Sequence, residues 1–280
     1  MLEPSASPET IGESAYRRIR RDIIFGRLAP SQKLKLDVLR ASYGVSVSTL
    51  REILNRLCSE GFVIAEGQRG FEVEPVSPEG FREVGGMRLL LECHALAASF
   101  SAGDLEWEGS VVAAHHKLST LETRMAAGDK SAAELWKRYD REFHRALVSA
   151  CASEALLEAH ASVYDKYVRY QMVANIYRGE VAAAEHRELL DCALKRNVER
   201  AQQVLIRHVE GCVESALARG DQTWLVRPSG RANASRQAAR TEPRVAGRVK
   251  APAGASPSKT PVRRSPSAAR ATRNKRKREA

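Results

Sequence analysis

The sequence predicts a mainly α-helical protein of two domains, and three observations lead to that prediction. Apolar residues recur at three- and four-residue spacing along most of the chain, which is the period of amphipathic helices. Aromatic residues make up only 6% of the 280 residues, which disfavours a sandwich of strands rich in Val, Tyr and Thr. Two short β-prone runs interrupt the helical pattern early in the chain. We therefore expect a small helical domain that ends in a hairpin, followed by a larger all-α domain.

Charge is distributed unevenly along the chain. The formal net charge of +11 arises in residues 226–280, where 16 Lys and Arg side chains face only Glu242 and Glu279. Large apolar residues are almost absent there, and such a segment cannot bury enough surface to offset its ordering entropy. We expect residues 223–280 to form a disordered basic tail and the polar residues 1–12 to form a flexible lead.

The cysteines and the hydropathy pattern bear on the compartment. Five cysteines are scattered without a Cys-x-x-Cys pair, which favours reduced thiols over a disulfide framework. No segment reaches the roughly 18 apolar residues that cross a bilayer, and the N-terminus lacks the basic and apolar regions of a signal peptide. We expect a cytoplasmic protein with no membrane partner.

Residues 13–76 carry the pattern of three helices and a hairpin. Apolar sets predict a first helix that starts near Ser14 and ends before Gly26, a second that stops at Gly44, and a third that follows Ser46 and ends before Gly61. Residues 62–65 and 71–74 flank a turn-rich loop that suits a hairpin. This order is that of a winged helix-turn-helix, whose reading helix enters the major groove of double-stranded DNA.

The candidate DNA contacts are short hydroxyls and cations. The first turn of the reading helix would offer these groups to base edges and phosphates, and they are Ser46, Ser48, Thr49 and Arg51. Arg51 is expected to contact a guanine edge, while Ser46 would also cap the helix. Arg69 beside Gly70 in the wing loop suits a phosphate or the minor groove. The alternative is a simple packing module whose serines serve only as caps.

This region resembles the head of the GntR-superfamily repressors. The resemblance covers residues 13–76 without a gap and is carried by residues 34–39, 44–46, 50–57, 61–63 and 69–73. It implies binding to operator DNA. Two positions depart from the family, which usually has Arg at Val47 and often Pro at Thr49. Lys35 and Arg40 are our candidates for compensating contacts to the DNA backbone.

Residues 77–222 form the second predicted domain, with about six or seven helices after a linker at residues 75–78. Asp140 and His144 are four residues apart, so they share one helix face with the spacing of a two-ligand metal clamp. His186 and His208 lie on two further predicted helices. If both helices face the first, one carboxylate and three imidazoles converge; taken singly, each histidine is more often an ordinary core or surface residue.

The spacing of these four residues resembles the ligand pattern of the FCD domain, the effector-binding bundle of the FadR-type GntR subgroup. The resemblance runs from about Phe81 to Leu217 and includes residues 87–92. It implies a divalent Zn, Ni or Mn ion held by Asp140, His144, His186 and His208, with open positions for water or a small carboxylate effector. It also makes Arg88 a candidate clamp for that carboxylate. The alternative for Arg88 is a salt bridge with Glu92, four residues along.

These inferences together predict a transcription regulator that acts as a homodimer, most simply a repressor modulated by the carboxylate. The second predicted domain is also similar to the carbon-starvation-induced regulator branch, through Trp107 and residues 116–122. This similarity hints at a dicarboxylate-like effector. Two alternatives stay open. One is a metal-dependent hydrolase, although we find no separate general base. The other is a nucleoid-type protein that attaches to DNA through residues 275–278.

Overall fold

The computed structural model describes residues 9–218, except for the side chain of Gln68. The predicted tail at 223–280 and most of the predicted lead at 1–12 lie outside this range. Of the helices in it, none has the combination of length and hydropathy that spanning a bilayer demands. All five cysteines are free thiols.

The N-terminal part, which we call the head, contains three helices and a three-stranded sheet. The elements are α1 (Ile11–Ile24), β1 (Lys33–Leu34), α2 (Leu36–Tyr43), α3 (Val47–Ser59), β2 (Val63–Ala65) and β3 (Phe71–Val73). The strand order is β1-β3-β2 with both pairs antiparallel, and Val63 is in register with Val73. This arrangement confirms the predicted winged helix-turn-helix.

Local sequence sets the ends of the head helices. The Thr10 side chain accepts a hydrogen bond from the Glu13 backbone N–H and so caps α1. Ser46 caps α3 in the same way, through the Thr49 backbone N–H at 3.1 Å. Between α2 and α3 the chain turns at Gly44, whose φ of 70° is left-handed and favours glycine.

The C-terminal part, which we call the body, contains six α-helices. They are α4 (Pro78–Ala102), α5 (Leu105–Ala126), α6 (Ala133–Val148), α7 (Glu154–Val173), α8 (Glu180–Leu194) and α9 (Val198–Ala218). α4 packs against α6, α7 and α9, while α5 packs against α6 and α8. The apolar core between them includes Phe81, Leu96 and Phe143, all fully buried. The predicted all-α body is therefore confirmed.

Helix α7 belongs to both cores. Its residues Tyr164 and Val168 are buried in the hydrophobic cluster of the head, while Tyr167 is buried in the cluster of the body. An ion pair reinforces this junction, because Arg20 of α1 donates to Asp165 of α7 at 2.7 Å. Head and body thus share one helix.

Three local features differ from the sequence-based expectations. α1 begins at Ile11, inside the predicted lead and three residues before the predicted start near Ser14, because Thr10 supplies a cap. β1 was not predicted, since a two-residue strand has no periodicity of its own. Pro78 was predicted in the linker but begins α4, where the Ser77 cap makes a first-turn proline favourable.

Truncation of the head core should lower stability. Leu54 is fully buried on α3, so Leu54→Ala should reduce the free energy of unfolding by about 2–5 kcal/mol through lost burial and the cavity left behind. Urea denaturation followed by circular dichroism measures this change. Val38, with 58% of its surface exposed, is the control, and Val38→Ala should change stability by no more than about 0.5 kcal/mol. Equal losses in both variants would contradict the packing described here.

Candidate metal centre

Four potential metal ligands from three helices meet in the interior of the body. α6 supplies Asp140 and His144, α8 supplies His186, and α9 supplies His208, and all four are buried. One ligand atom of each lies within 4.8 Å of the ligand atoms of the other three. The structure therefore brings together the one carboxylate and three imidazoles that the sequence singled out.

Each imidazole is held by a carboxylate from another helix. The Nδ1 atom of His144 lies 2.5 Å from Glu92 of α4, that of His186 lies 2.6 Å from Glu122 of α5, and that of His208 lies 2.9 Å from Glu185 of α8. A carboxylate can only accept, so each Nδ1–H donates to its carboxylate; the Arg88 nitrogen 3.0 Å from Nδ1 of His144 is then a second donor that cannot bond to this N–H. The same tautomer leaves an Nε2 lone pair on each ring, which is the form that binds a metal.

Two of these Nε2 atoms lack a hydrogen-bond partner. They belong to His144 and His186, and both are fully buried. A buried polar atom without a partner costs free energy, so such an atom needs an explanation. A cation among the three rings would satisfy both.

Burial and nearby charges tune the imidazoles differently. Burial is the main cause that lowers the pKa of His208, to about 3, and burial also lowers the pKa of His144. Burial alone would lower the pKa of His186, but the nearby carboxylates of Asp140 and Glu122 outweigh it and raise that pKa. Two of the three rings therefore favour the neutral form that ligates metals.

Asp140 presents one oxygen to the imidazoles and uses the other for support. Its Oδ2 accepts from the Tyr164 hydroxyl at 2.8 Å and from the Lys137 ammonium at 3.2 Å. Its Oδ1 lies 3.3 Å from Nε2 of His186. Burial would raise the pKa of Asp140, but Lys137 and the histidines outweigh it and hold that pKa well below its usual range. Asp140 is therefore an anion.

The charges around the cluster favour an additional cation. Lys137 neutralises Asp140, Arg88 neutralises Glu92 at 2.8 Å, and Arg178 neutralises Glu185 at 2.9 Å. For the fourth carboxylate, Glu122, the only ion-pair partner among the described residues is His186. One negative charge is thus left over if the imidazoles are neutral.

Arg88 was predicted either to clamp a carboxylate effector or to pair with Glu92, and the structure favours the pair. The guanidinium is 1% exposed and stacks over the rings of Tyr164 and Tyr167, at 4.3 and 4.6 Å from their centroids. Through Glu92 it stabilises the carboxylate that orients His144. A direct role for Arg88 in effector binding stays a prediction.

A small cavity lies against the cluster. It touches Asp140, His186 and His208, and its volume of about 10 Å³ has room for roughly one water molecule. Two cations, Lys137 and Arg178, form part of its wall. Arg88 does not line this cavity.

The predicted DNA contacts lie on the head. Those that are exposed are Lys35, Arg40, Ser46, Ser48, Arg51 and Arg69, whereas Thr49 and Gly70 are half-buried. The Ser46 hydroxyl also lies 2.7 Å from that of Ser48 and 2.9 Å from that of Thr49, so the three hydroxyls form one polar cluster at the start of α3. Contact of these residues with DNA stays a prediction.

Sequence reasoning missed the carboxylates that orient the histidines. Glu92 and Glu122 lie 52 and 64 positions from the rings they contact, so spacing carries no signal. Glu185 adjoins His186 in the sequence, and adjacent positions on a helix point away from each other. It does point away, and it contacts His208 on the next helix instead.

Comparison with known proteins agrees with this architecture. Residues 11–73 match the family model described as bacterial regulatory proteins, gntR family, and residues 83–211 match the FCD domain. The HTH-type transcriptional regulator BphR of Paraburkholderia xenovorans is 35% identical over 75% of this chain and 86% of its own length. The HTH-type transcriptional repressor GlaR of Escherichia coli is 30% identical over 69% of this chain and 90% of its own.

Solved structures show the same fold. Escherichia coli McbR/YncC superposes with a TM-score of 0.63 at 18% identity, over 75% of this chain and 98% of the other. A GntR protein from Rhodococcus sp. RHA1 superposes with a TM-score of 0.62 at 24% identity, over 74% of this chain and 98% of the other.

A winged head joined to an all-α body of this kind defines a DNA-binding transcription regulator. The chain belongs to the GntR family, in the group that carries an FCD domain. These relatives are regulators and not enzymes, which sets the hydrolase alternative aside.

Removal of Arg88 should destabilise the body strongly. Arg88→Ala leaves Glu92 buried without its cation, so the free energy of unfolding should fall by about 3–5 kcal/mol. Arg82, on the same helix, forms an exposed pair with Glu79, and Arg82→Ala should cost at most about 1 kcal/mol. Urea denaturation of both variants measures the difference. Similar small losses in both would show that the Arg88 pair contributes little.

Proposed function

We propose that this regulator holds a divalent metal ion at Asp140, His144, His186 and His208. We further propose that a small carboxylate bound beside the ion controls the affinity of the protein for operator DNA. The observation that carries the proposal is that three imidazoles, each oriented by its own carboxylate, and one aspartate place their ligand atoms within 4.8 Å of one another. The donor set of three nitrogens and one oxygen suits zinc, nickel or manganese better than calcium or magnesium.

The chemistry of the effector follows from the ion and its surroundings. A divalent ion with an open coordination position attracts a carboxylate oxygen. Lys137 and Arg178, on the wall of the adjoining cavity, provide N–H donors for a second oxygen or a second carboxylate. Because the cavity has a volume of only about 10 Å³, entry of an effector requires these side chains to move. That movement supplies the difference between two states on which any switch depends.

A route from the cavity to the head runs through α7. Asp140 and Lys137 contact each other, and the Tyr164 hydroxyl donates to the same Asp140 oxygen that Lys137 contacts. The Tyr164 ring is buried in the head core. The next residue, Asp165, binds Arg20, whose guanidinium also donates to Glu60 at the C-terminal end of α3. Displacement of Lys137 would therefore alter contacts that position the reading helix.

The operator is proposed to be read by a homodimer. GntR regulators bind operator DNA, and two heads related by a twofold axis would occupy two half-sites of a palindrome. The name of GlaR describes it as a repressor, and we extend that mode of action to this chain. An effector that favours one arrangement of the body would then change the spacing of the heads and release the DNA.

Metal binding can be tested on the full chain. Addition of Zn, Ni or Mn to chelator-treated protein should raise the melting temperature, because an ion that binds only the native state stabilises it. His208→Ala should abolish this rise. Glu122→Gln should keep it but weaken metal affinity by about 10- to 100-fold, because the carboxylate that orients His186 is lost.

The control for Glu122→Gln is Glu142→Gln. Glu142 is a half-buried carboxylate of α6 that binds Lys117 at 2.5 Å and lies outside the cluster, so its removal should leave metal affinity unchanged. Calorimetric titration of each variant gives the affinity. Unaltered affinity in both His208→Ala and Glu122→Gln would rule out the proposed site.

Operator reading can be tested with Arg51. The preferred sequence is first selected from random duplex DNA with the full-length protein. Arg51→Ala should bind that sequence more weakly by about 1–3 kcal/mol, whereas its binding to unrelated DNA should change little. Arg187→Ala, on α8 of the body, is the charge-matched control and should retain full preference. An equal loss on selected and unrelated DNA would make Arg51 a phosphate contact.

A further inference from the structure

A crevice between the head and the body shares Arg20, Lys137 and Asp165 with the route proposed above, but its open space and its other lining residues have no part in that function. It is enclosed by α1 on one side and by α6 and α7 on the other, and its volume is about 580 Å³. This volume lies within the range of small-molecule sites, whereas the cavity at the metal centre has room for roughly one water.

The crevice is lined by an excess of positive charge. Its six cations are Arg17, Arg20, Arg21, Lys137, Arg138 and Arg141. Only two carboxylates, Glu134 and Asp165, line it with them. Such an excess in a concave site raises the local concentration of anions.

The two carboxylates are each shared between arginines. Asp165 accepts from Arg20 at 2.7 Å and lies 3.1 Å from Arg141. Glu134 pairs with both Arg21 and Arg27. A guanidinium carries five N–H donors in a planar fork, so the lining residues Arg20, Arg21 and Arg141 have donors left over for a further oxyanion.

Arg138 adds a cation that the body does not neutralise. Its guanidinium lies 5.5 Å from the centroid of the Tyr139 ring. Among the described residues, no carboxylate forms an ion pair with it. The floor of the crevice is apolar and includes Ile24, Leu135 and Val168. Apolar walls reduce the local dielectric constant, which strengthens the attraction between an oxyanion and the surrounding guanidinium groups.

We propose that this crevice is a second ligand site, which binds a small metabolite carrying a multiply charged oxyanion. Phosphate esters and polycarboxylates share this chemistry, since a guanidinium fork matches both groups. The volume of the crevice matches a small molecule better than a segment of DNA backbone. Because α1 belongs to the head and α6 to the body, a ligand that contacts both would stabilise one orientation of the two domains. The site also adjoins the metal centre, since Lys137 lines both cavities.

The test uses full-length, metal-loaded protein and three probes. Inorganic phosphate and ribose 5-phosphate represent the phosphoryl source, and succinate represents the carboxylate source. Calorimetric titration should detect binding of at least one probe, and Arg138→Gln/Arg141→Gln should weaken that binding roughly tenfold or more. Arg187→Gln/Arg207→Gln, which removes two exposed cations with carboxylate partners outside the crevice, is the matched control and should bind as the parent does.

Two further variants keep the outcome decisive. Arg138→Gln breaks no ion pair among the described residues, so it should fold normally and still weaken binding severalfold. His208→Ala alters the metal centre at a residue that does not line the crevice, and it should leave binding in the crevice intact. Metal titration of the crevice variants reports separately on the function proposed above, which does not depend on this site.

Three results would overturn the second site. The first is an unchanged affinity in both crevice variants. The second is binding that disappears in His208→Ala but persists in Arg138→Gln, which would assign the probe to the metal centre. The third is the absence of binding for all three probes together with a shallower salt dependence of DNA binding in the crevice variants. That result would make the crevice a contact for DNA phosphates.

Discussion

Everything proposed for the body depends on three hydrogen bonds between carboxylates and imidazoles. Glu92, Glu122 and Glu185 fix the tautomer and the direction of the rings they contact. Without these acceptors an imidazole could rotate or place a proton on Nε2, and the lone pairs would no longer meet. The acceptors come from α4, α5 and α8, so formation of the whole bundle is a condition for the site. Folding of the body and assembly of the ligand cluster are therefore one event.

Helix α7 gives this cluster a mechanical connection to the DNA-binding head. Tyr164 binds a cluster residue through its hydroxyl and fills the head core with its ring. Asp165 then binds Arg20, which reaches the end of α3. Packed interiors resist small deformations and respond by changing between discrete arrangements. A shared helix is thus better suited to transmit a change at the cluster than a flexible linker between separate cores.

The sequence predicted the elements well where the signal was local, and poorly where it depended on contacts distant in the chain. Periodicity and the Ser46 cap predicted the reading helix, and the ligand candidates followed from spacing within α6 and from resemblance to a family. The missed features have non-local causes. β1 exists because β3 pairs with it, and Glu92 and Glu122 approach their rings only after the bundle closes. For Arg88, helical spacing allowed the pair with Glu92, but burial decided in its favour.

The energetic balance of the body argues that its interior is retained for function and not for stability. Buried ion pairs often contribute less than apolar residues of similar volume, because desolvation offsets their attraction. This body nevertheless buries Arg88, Glu92 and Lys137 together with the four potential ligands. It also leaves two imidazole nitrogens without partners at the centre. A sequence under selection for stability alone would replace such a cluster with leucine and valine, whereas local violations of packing rules concentrate at functional sites. The supporting cations and carboxylates then share one role. They hold the four potential ligands close together so that a cation can bind among them.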